Sequence, residues 1–366
     1  MGAPLLSWDQ GTAYDLFISL NVLHNPGNYG VRPAWAAGMR SRLPGAERET
    51  LEKLFDLLGM ATPLGWVYHL PQPKNGQTVL AELERLPART RLFHILFEHH
   101  REKESDRAFY RSIVERGAYS KQDVDTVYEM YRKHDKKGIT REKAAHQLDI
   151  WADAEAFGES YLSAIRAYYD VFFAEEEARI RPYLDEALAK AQGLAAELSI
   201  TELLEQLSQG VRFEEPPEAG RIVLAPSFWG SPYLHYVEVE PDIMLVAFGA
   251  RPDDASVVPG EVVPDALLNA LKAMGDPTRL RILRYLTDES LTPTQLARRL
   301  RLRAPTVIHH LSMLRVAGLV QVTVSKKEKI YALRKDGVEA VCRSLKGFLE
   351  TGECQGELEA HIVGGE

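Results

Sequence analysis

The sequence predicts a mainly α protein of the α+β kind. A helical N-terminal domain with a small antiparallel sheet is followed by a separate C-terminal domain of short helices and a β-hairpin. Three observations predict it. Apolar residues recur at helical spacing from about 14 to 210. Short runs rich in Val, Ile, Phe and Tyr, split by Pro, Gly and Asp, fill 211–250. Beyond 265, capping residues mark the helix starts and a hairpin pattern closes the domain. A chain of 366 residues, 45% of them hydrophobic, is long enough for two or three domains with their own cores.

The periodicity places helices over 14–24, 33–43, 46–58, 76–85, 88–101, 105–117, 120–134 and 140–150. Breakers separate them: "HNPGNYG" at 24–30, "RLPG" at 42–45 and "LPQPKNG" at 70–76. A long amphipathic region spans 151–193, and a short helix covers 199–209. Pro182 is expected to kink or divide the long region, because its ring removes one backbone donor and crowds the preceding turn. No internal repeat is present.

Near 211 the period changes. "VRFEE", "RIVLAPS", "LHYVEVE" and "IMLVAFGA" predict three or four strands of an antiparallel meander. The expected domains are therefore 1–210 (helical), 211–250 (meander), 251–264 (a Pro- and Asp-rich linker), 265–351 (the C-terminal domain) and 352–366 (an acidic tail).

Charge separates these segments. Residues 265–351 hold 16 Lys and Arg against 8 Asp and Glu, a net of +8, within a chain of net −8. The tail is −4, so residues 1–264 carry −12. A basic module on an acidic body suggests a polyanionic partner for one end only. Two cysteines, Cys342 and Cys354, make no disulfide framework or Cys-rich metal site, which suits a reducing cytosol and a cytoplasmic location. The N-terminus lacks the pattern of a signal peptide, and no run of 18 apolar residues occurs, so no membrane partner is expected.

The C-terminal elements follow in order. Asp276 is a good N-cap before Pro277, and Leu280, Leu283 and Leu286 lie on or near one helix face. "LTPTQLARRL" contains a capping box, Thr292 with Gln295. A third helix begins around Pro305 and stops at Gly318. In it Val307, Leu311 and Leu314 share a core face, leaving Thr306, His309, His310 and Met313 as a stripe that can project outward. Two short helices joined tightly, with a polar stripe on the second, form a helix-turn-helix suited to a DNA major groove. "LVQVTVS" and "IYALR" then make a hairpin with Lys326, Lys327 and Lys329 at its tip, a basic wing able to lie along phosphates. The domain is thus predicted to be a winged helix-turn-helix.

The run "ALKAMGDPTRLRILRYL…LTPTQLARRLRLRAPTVIHHLSMLRVAGLVQVTVSKKEKIYAL" resembles the ArsR/SmtB family of winged-helix bacterial repressors, over about residues 265 to 350. The resemblance implies a homodimer on near-palindromic double-stranded DNA, acting as a repressor and released by a metal or another effector. It implies that Thr306, His309, His310 and Met313 face the major groove. Arg279, Arg303, Arg315, Lys326, Lys327 and Lys329 are the implied phosphate or minor-groove contacts. Adjacent histidines point about 100° apart on a helix and make a poor metal pair, which favours the DNA reading of His309 and His310.

Three departures from the family pattern stand out. Arg303, Ala304 and Pro305 replace a polar "S-x-S", so the third helix lacks a good N-cap. A DNA phosphate is a candidate partner for its first N–H groups. Ile308 stands where Ser is common, so a family phosphate contact is expected to be missing. The family's "ELCVCDLA" metal stretch is "SLTPTQLA" here, and the terminal helix offers Asp336, Glu339 and Cys342 without His, so no metal site is expected.

The first 260 residues carry no such signature. In "HILFEHH", His94, Glu98, His99 and His100 match neither helical zinc motif, although His94 and Glu98 are an i, i+4 pair. "HDKKGIT" places Lys136 and Lys137 where a calcium loop needs oxygen ligands. Phosphate-loop, G-x-G-x-x-G and G-x-S-x-G motifs are missing, so neither a cofactor nor a catalytic residue is expected. Trp151, Phe157, Tyr161, Tyr168, Tyr169, Phe172 and Phe173 crowd one helical region. They suit an ordinary core, a pocket for a small-molecule effector, or a dimer face. A dimerisation or partner module, or an enzyme built from distant residues, are the alternatives for this region.

Overall fold

A computed structural model describes residues 4–350 except 59–61, 99–103, 134–139, 209, 215–216, 253–254, 259–262 and 325–327. In chain order the elements are β1 (Leu5–Trp8), α1 (Ala13–His24), α2 (Pro33–Ser41), α3 (Gly45–Leu58), α4 (Leu64–His69), α5 (Gly76–Arg85) and α6 (Ala88–Phe93). Next come α7 (Glu104–Arg116), α8 (Lys121–Lys133), α9 (Arg141–Ala152), α10 (Ala154–Tyr168), α11 (Ala174–Ala195) and α12 (Ile200–Leu207). The strands β2 (Val211–Phe213), β3 (Arg221–Ser227), β4 (His235–Glu240) and β5 (Ile243–Gly249) follow. The chain closes with α13 (Asp265–Met274), α14 (Pro277–Asp288), α15 (Pro293–Leu300), α16 (Ala304–Val316), β6 (Val320–Val324), β7 (Lys329–Leu333) and α17 (Lys335–Glu350). Among the described residues, no helix is long and apolar enough to cross a membrane.

The chain sorts into two compact units. One holds the chain up to Pro26, Arg32–Lys190 and Glu218–Ala250; the other holds Gly27–Val31, Ala191–Pro217 and the chain from Arg251.

In the first unit α1 is buried along its whole length, from Ala13 to Leu23. Its sequence is apolar nearly all round, as a central core helix requires. Its few polar side chains find partners. Asp15 accepts hydrogen bonds from Ser227 Oγ (2.7 Å), the Trp229 amide (2.8 Å) and the Phe228 amide (3.2 Å), tying α1 to the end of β3. Ser19 Oγ lies 2.8 Å from the Tyr168 hydroxyl on α10. The buried Glu176 accepts from Trp229 Nε1 (2.8 Å) and pairs with Arg179. Arg91, also buried, donates to the carbonyls of Leu83, Leu86 and Gly158.

The sheet corrects one expectation. It is mixed, in the order β1-β3-β5-β4, rather than an antiparallel meander. β1 pairs parallel with β3, β3 pairs parallel with β5, and only β4 runs antiparallel. The buried runs of β3 and β5 explain it: both faces of a central parallel strand are covered, so "IVLAPS" and "LVAF" are continuous rather than alternating. β1 and α4 are further elements that the pattern did not announce. Pro182 does not divide its helix; α11 runs through it. The irregularity comes earlier, as a π-helical stretch at Tyr169–Phe173 between α10 and α11.

The strand expected to open the meander, β2, lies in the second unit. It pairs parallel with β6, Val211 opposite Val322 and Phe213 opposite Val324, making a three-stranded sheet ordered β2-β6-β7. Val322 N donates to Gly210 O (2.9 Å), and Gln321 Nε2 donates to Glu205 Oε1 on α12 (2.8 Å). The core of this unit gathers Ile282, Leu286, Leu296, Val307, Leu311, Leu314 and Leu319. Leu280, which the spacing put with Leu283 and Leu286 on or near one face, is 49% exposed; Ile282, not named there, is fully buried instead.

Candidate nucleic-acid interface

The interface is built from four helix ends. Asp276 accepts from the Arg279 amide (2.8 Å) and starts α14. Thr292 and Gln295 form the reciprocal box that starts α15: the Thr292 amide donates to Gln295 Oε1 (2.7 Å), and the Gln295 amide donates to Thr292 Oγ1 (3.3 Å). α15 ends on Arg301 in the left-handed region, φ 56°, with the Leu302 amide returning to Ala297 O (3.0 Å). That closure makes the turn into α16 tight. α16 ends the same way at Gly318, φ 68°, with the Leu319 amide on Leu314 O (2.9 Å), and the chain passes straight into β6. Gly337 packs on this corner; a Cβ there would lie 2.1 Å from Gly318 O.

α16 is held by Val307, Leu311 and Leu314, all fully buried. The opposite face presents Pro305, His309 and Ser312, flanked by Thr306 and Ile308, and all five are exposed. Thr306 and His309 therefore stand where the spacing put them. His310 and Met313 are half-buried at the flank of the stripe. His310 Nδ1 is buried without a hydrogen-bond partner. Burial, foremost, holds its pKa below the ordinary value; Asp276 opposes, while Arg279 and His309 add to the lowering. The imidazoles of His309 and His310 are 6.2 Å apart at 54°, and no group of three metal-ligating side chains occurs among the described residues.

The basic residues are placed less uniformly. Arg303 is the N-cap of α16, makes no side-chain capping bond and is exposed. Lys329 is exposed at the start of β7. Arg315 is half-buried near Tyr331. Arg279 corrects the expectation: its guanidinium donates to the carbonyls of Ala273 and Lys272 (both 2.8 Å), closing α13 rather than facing outward. Lys326 and Lys327 lie outside the described residues. Pro305 and Ser312 are site residues that sequence reasoning missed, although both share the i, i+4, i+7 row of His309. Ile308 is a third, read from the sequence only as the loss of a phosphate contact.

A groove runs beside this face between the first turn of α15, α16 and the wing. Thr292, Thr294, Gln295, Ala304, Ile308 and Lys329 are among the residues that line it.

Comparison with known proteins adds the following. A family profile, "Bacterial regulatory protein, arsR family", matches residues 276–322. The HTH-type transcriptional regulator CmtR of Mycobacterium tuberculosis, and that of Mycobacterium bovis, are 44% identical over 73 residues, 20% of this chain. The chain spans 62% of the length of these relatives. An uncharacterized HTH-type transcriptional regulator of Methanocaldococcus jannaschii is 34% identical over 73 residues, 82% of that protein. The crystal structure of an ArsR family transcriptional regulator aligns with 24% of this chain and 97% of its own, at 25% identity and a TM-score of 0.22.

Proposed function

Because the chain belongs to the ArsR family of bacterial regulatory proteins, we propose that it is a DNA-binding transcriptional regulator whose α16 enters a major groove. The observation that carries this reading is the exposed stripe Pro305, His309 and Ser312, flanked by Thr306, on a helix whose other face is fully buried. Thr306 and His309 read base edges. His310 and Met313 border the groove, Arg303 and Lys329 meet phosphates, and Arg315, Lys326 and Lys327 add to that field. Arg303 makes no side-chain capping bond at the start of α16, and the Thr306 and Val307 amides bond to Arg303 O, so the Ala304 amide is the one a phosphate would meet.

The regulator acts as a homodimeric repressor on a near-palindromic operator. Support comes from α17, whose stripe Val338, Val341, Leu345 and Phe348 is only half-buried and whose Leu349 is 72% exposed. The reading requires a two-fold axis that sets the two α16 helices about one DNA turn, roughly 34 Å, apart. The first unit is the place for a small-molecule effector. A polar concavity there, lined by Lys53, Asp56, Leu57, His146 and Asp149, is its candidate seat.

The test is selection of preferred duplexes from a random pool with the full chain, followed by anisotropy titrations. His309→Ala should lose affinity for the selected duplex by about 1–3 kcal/mol and leave nonspecific binding nearly unchanged. Equal loss on every sequence would argue against base readout.

A further inference from the structure

We infer that Ile308 reads the C5-methyl group of a thymine at the edge of the DNA site, an inference that rests on the DNA-binding reading above. Ile308 is 50% exposed, the one large apolar side chain of α16 so open to solvent among the described residues. It stands one position from His309 and one turn beyond Ala304, on the side of α16 that faces the wing. Its groove is mixed: Thr292, Thr294, Gln295, Glu328 and Lys329 share it with the apolar Pro293, Ala304 and Ile330.

Chemistry narrows what such a side chain can recognise. In the major groove, bases present donors and acceptors, and thymine alone adds a methyl group. A branched aliphatic side chain can neither donate nor accept a hydrogen bond, so it cannot satisfy a guanine, cytosine or adenine edge. Buried against one of these it would leave the polar edge unpaired, which penalises the wrong base. Against a thymine methyl, both partners leave water together. The neighbouring hydroxyls and the Lys329 ammonium are suited to hold the adjoining phosphate, which would fix Ile308 over one base step. The α16 fold does not need the isoleucine: the core contacts come from Val307, Leu311 and Leu314.

The experiment uses the full chain and the duplex it selects from a random pool. Each thymine is replaced singly by deoxyuridine, which removes only the methyl, and affinity is measured for the wild type, Ile308→Val and Ile308→Ala. One or two positions should show a uracil penalty of about fourfold for the wild type, the equivalent of about 0.8 kcal/mol for one buried methyl at 1.4 kcal/mol per tenfold. The penalty should shrink in Ile308→Val and vanish in Ile308→Ala, while the salt dependence stays unchanged in all three proteins. Uracil penalties that are the same in the wild type and Ile308→Ala, or that occur nowhere, would overturn the assignment while leaving DNA binding intact. Failure of the wild type to select or bind any duplex at low salt would overturn the functional reading itself, and this inference with it.

Discussion

Single residues carry several of the constraints. Asp15 is fully buried, and burial raises its pKa to about 7 against three hydrogen bonds that lower it. A carboxyl whose folded pKa exceeds its unfolded value, 3.8, contributes stability fully below that value and loses it as pH rises toward 7. His24 has the opposite sign. Burial lowers it to about 4 from 6.5, so its contribution is present above 6.5 and lost as pH falls through 4. The first unit therefore has two opposing pH arms, and Asp15→Asn should remove one. The substituted amide would still accept from Ser227 and Trp229 but would set an NH2 group against the Phe228 amide, so the variant should be less stable in acid. That deficit should shrink between pH 4 and 8 by up to about 4 kcal/mol, from a three-unit shift at 1.36 kcal/mol each. Urea midpoints across that range decide; a constant gap would refute a raised Asp15. Arg301 offers a second case. A left-handed Arg costs about 1–2 kcal/mol, so Arg301→Gly should raise stability by roughly 0.5–1 kcal/mol after the glycine entropy cost, read as a higher melting temperature. At this scale Thr306 and His309 were legible because helical period alone fixes their face. Arg279 was not legible: its charge was visible, but the carbonyls that engage it are set by how α13 ends.

Elements meet through glycine. The Gly318–Gly337 contact seats the first turn of α17 on the corner between α16 and β6. Gly337→Ala should cost about 1–3 kcal/mol, because backbone rather than a flexible side chain must move. Gly318→Ala adds a left-handed alanine, about 1 kcal/mol or more. The double variant should deviate from the sum of the two, since both changes deform one contact; strict additivity in chemical denaturation would show the corner to be looser than described. Strand order marks the limit of the sequence at this scale. The runs of β3, β4 and β5 were recognisable, but residue pattern does not state which neighbour a strand takes or in which direction. β2 has three residues and one buried side chain, too little for a period to register. Arg212→Pro should abolish its pairing, since proline cannot donate to the ladder. Hydrogen exchange at the Val322 and Val324 amides should then rise; unchanged protection would mean that β6 does not depend on β2.

For the whole molecule, charge and assembly decide behaviour. The basic segment 265–351 sits in a chain that is acidic overall, so DNA affinity should fall steeply with salt. Lys329→Ala should flatten the slope of log affinity against log salt by about one, whereas His309→Ala should not change it. A slope unaffected by Lys329→Ala would remove the wing from the phosphate contacts. On the homodimer proposed above, Leu349→Glu on the open face of α17 should leave a monomer at micromolar concentration and weaken DNA binding with it; a wild type that is already monomeric in sedimentation velocity would refute the proposed dimer. The existence of a winged helix-turn-helix was legible from caps and turn residues. The first unit was legible as helices and strands but not in how they pair, since its long-range pairs, such as Asp15 with Trp229, join residues more than 200 positions apart.

The borrowed strand β2 has one more consequence. The wing sheet takes its outer member from Val211–Phe213, yet β3, β4 and β5, which come between that strand and α13, are built into the other unit. Ordinary subcloning therefore meets a topological obstacle. A fragment beginning at 265 would leave the edge of β6 unpaired, an invitation to intermolecular strand addition and precipitation. One beginning near 197 would restore the edge but carry three orphaned sheet strands. Neither unit can be excised as one uninterrupted stretch, so a truncation that isolates the winged helix-turn-helix must also supply Val211–Phe213.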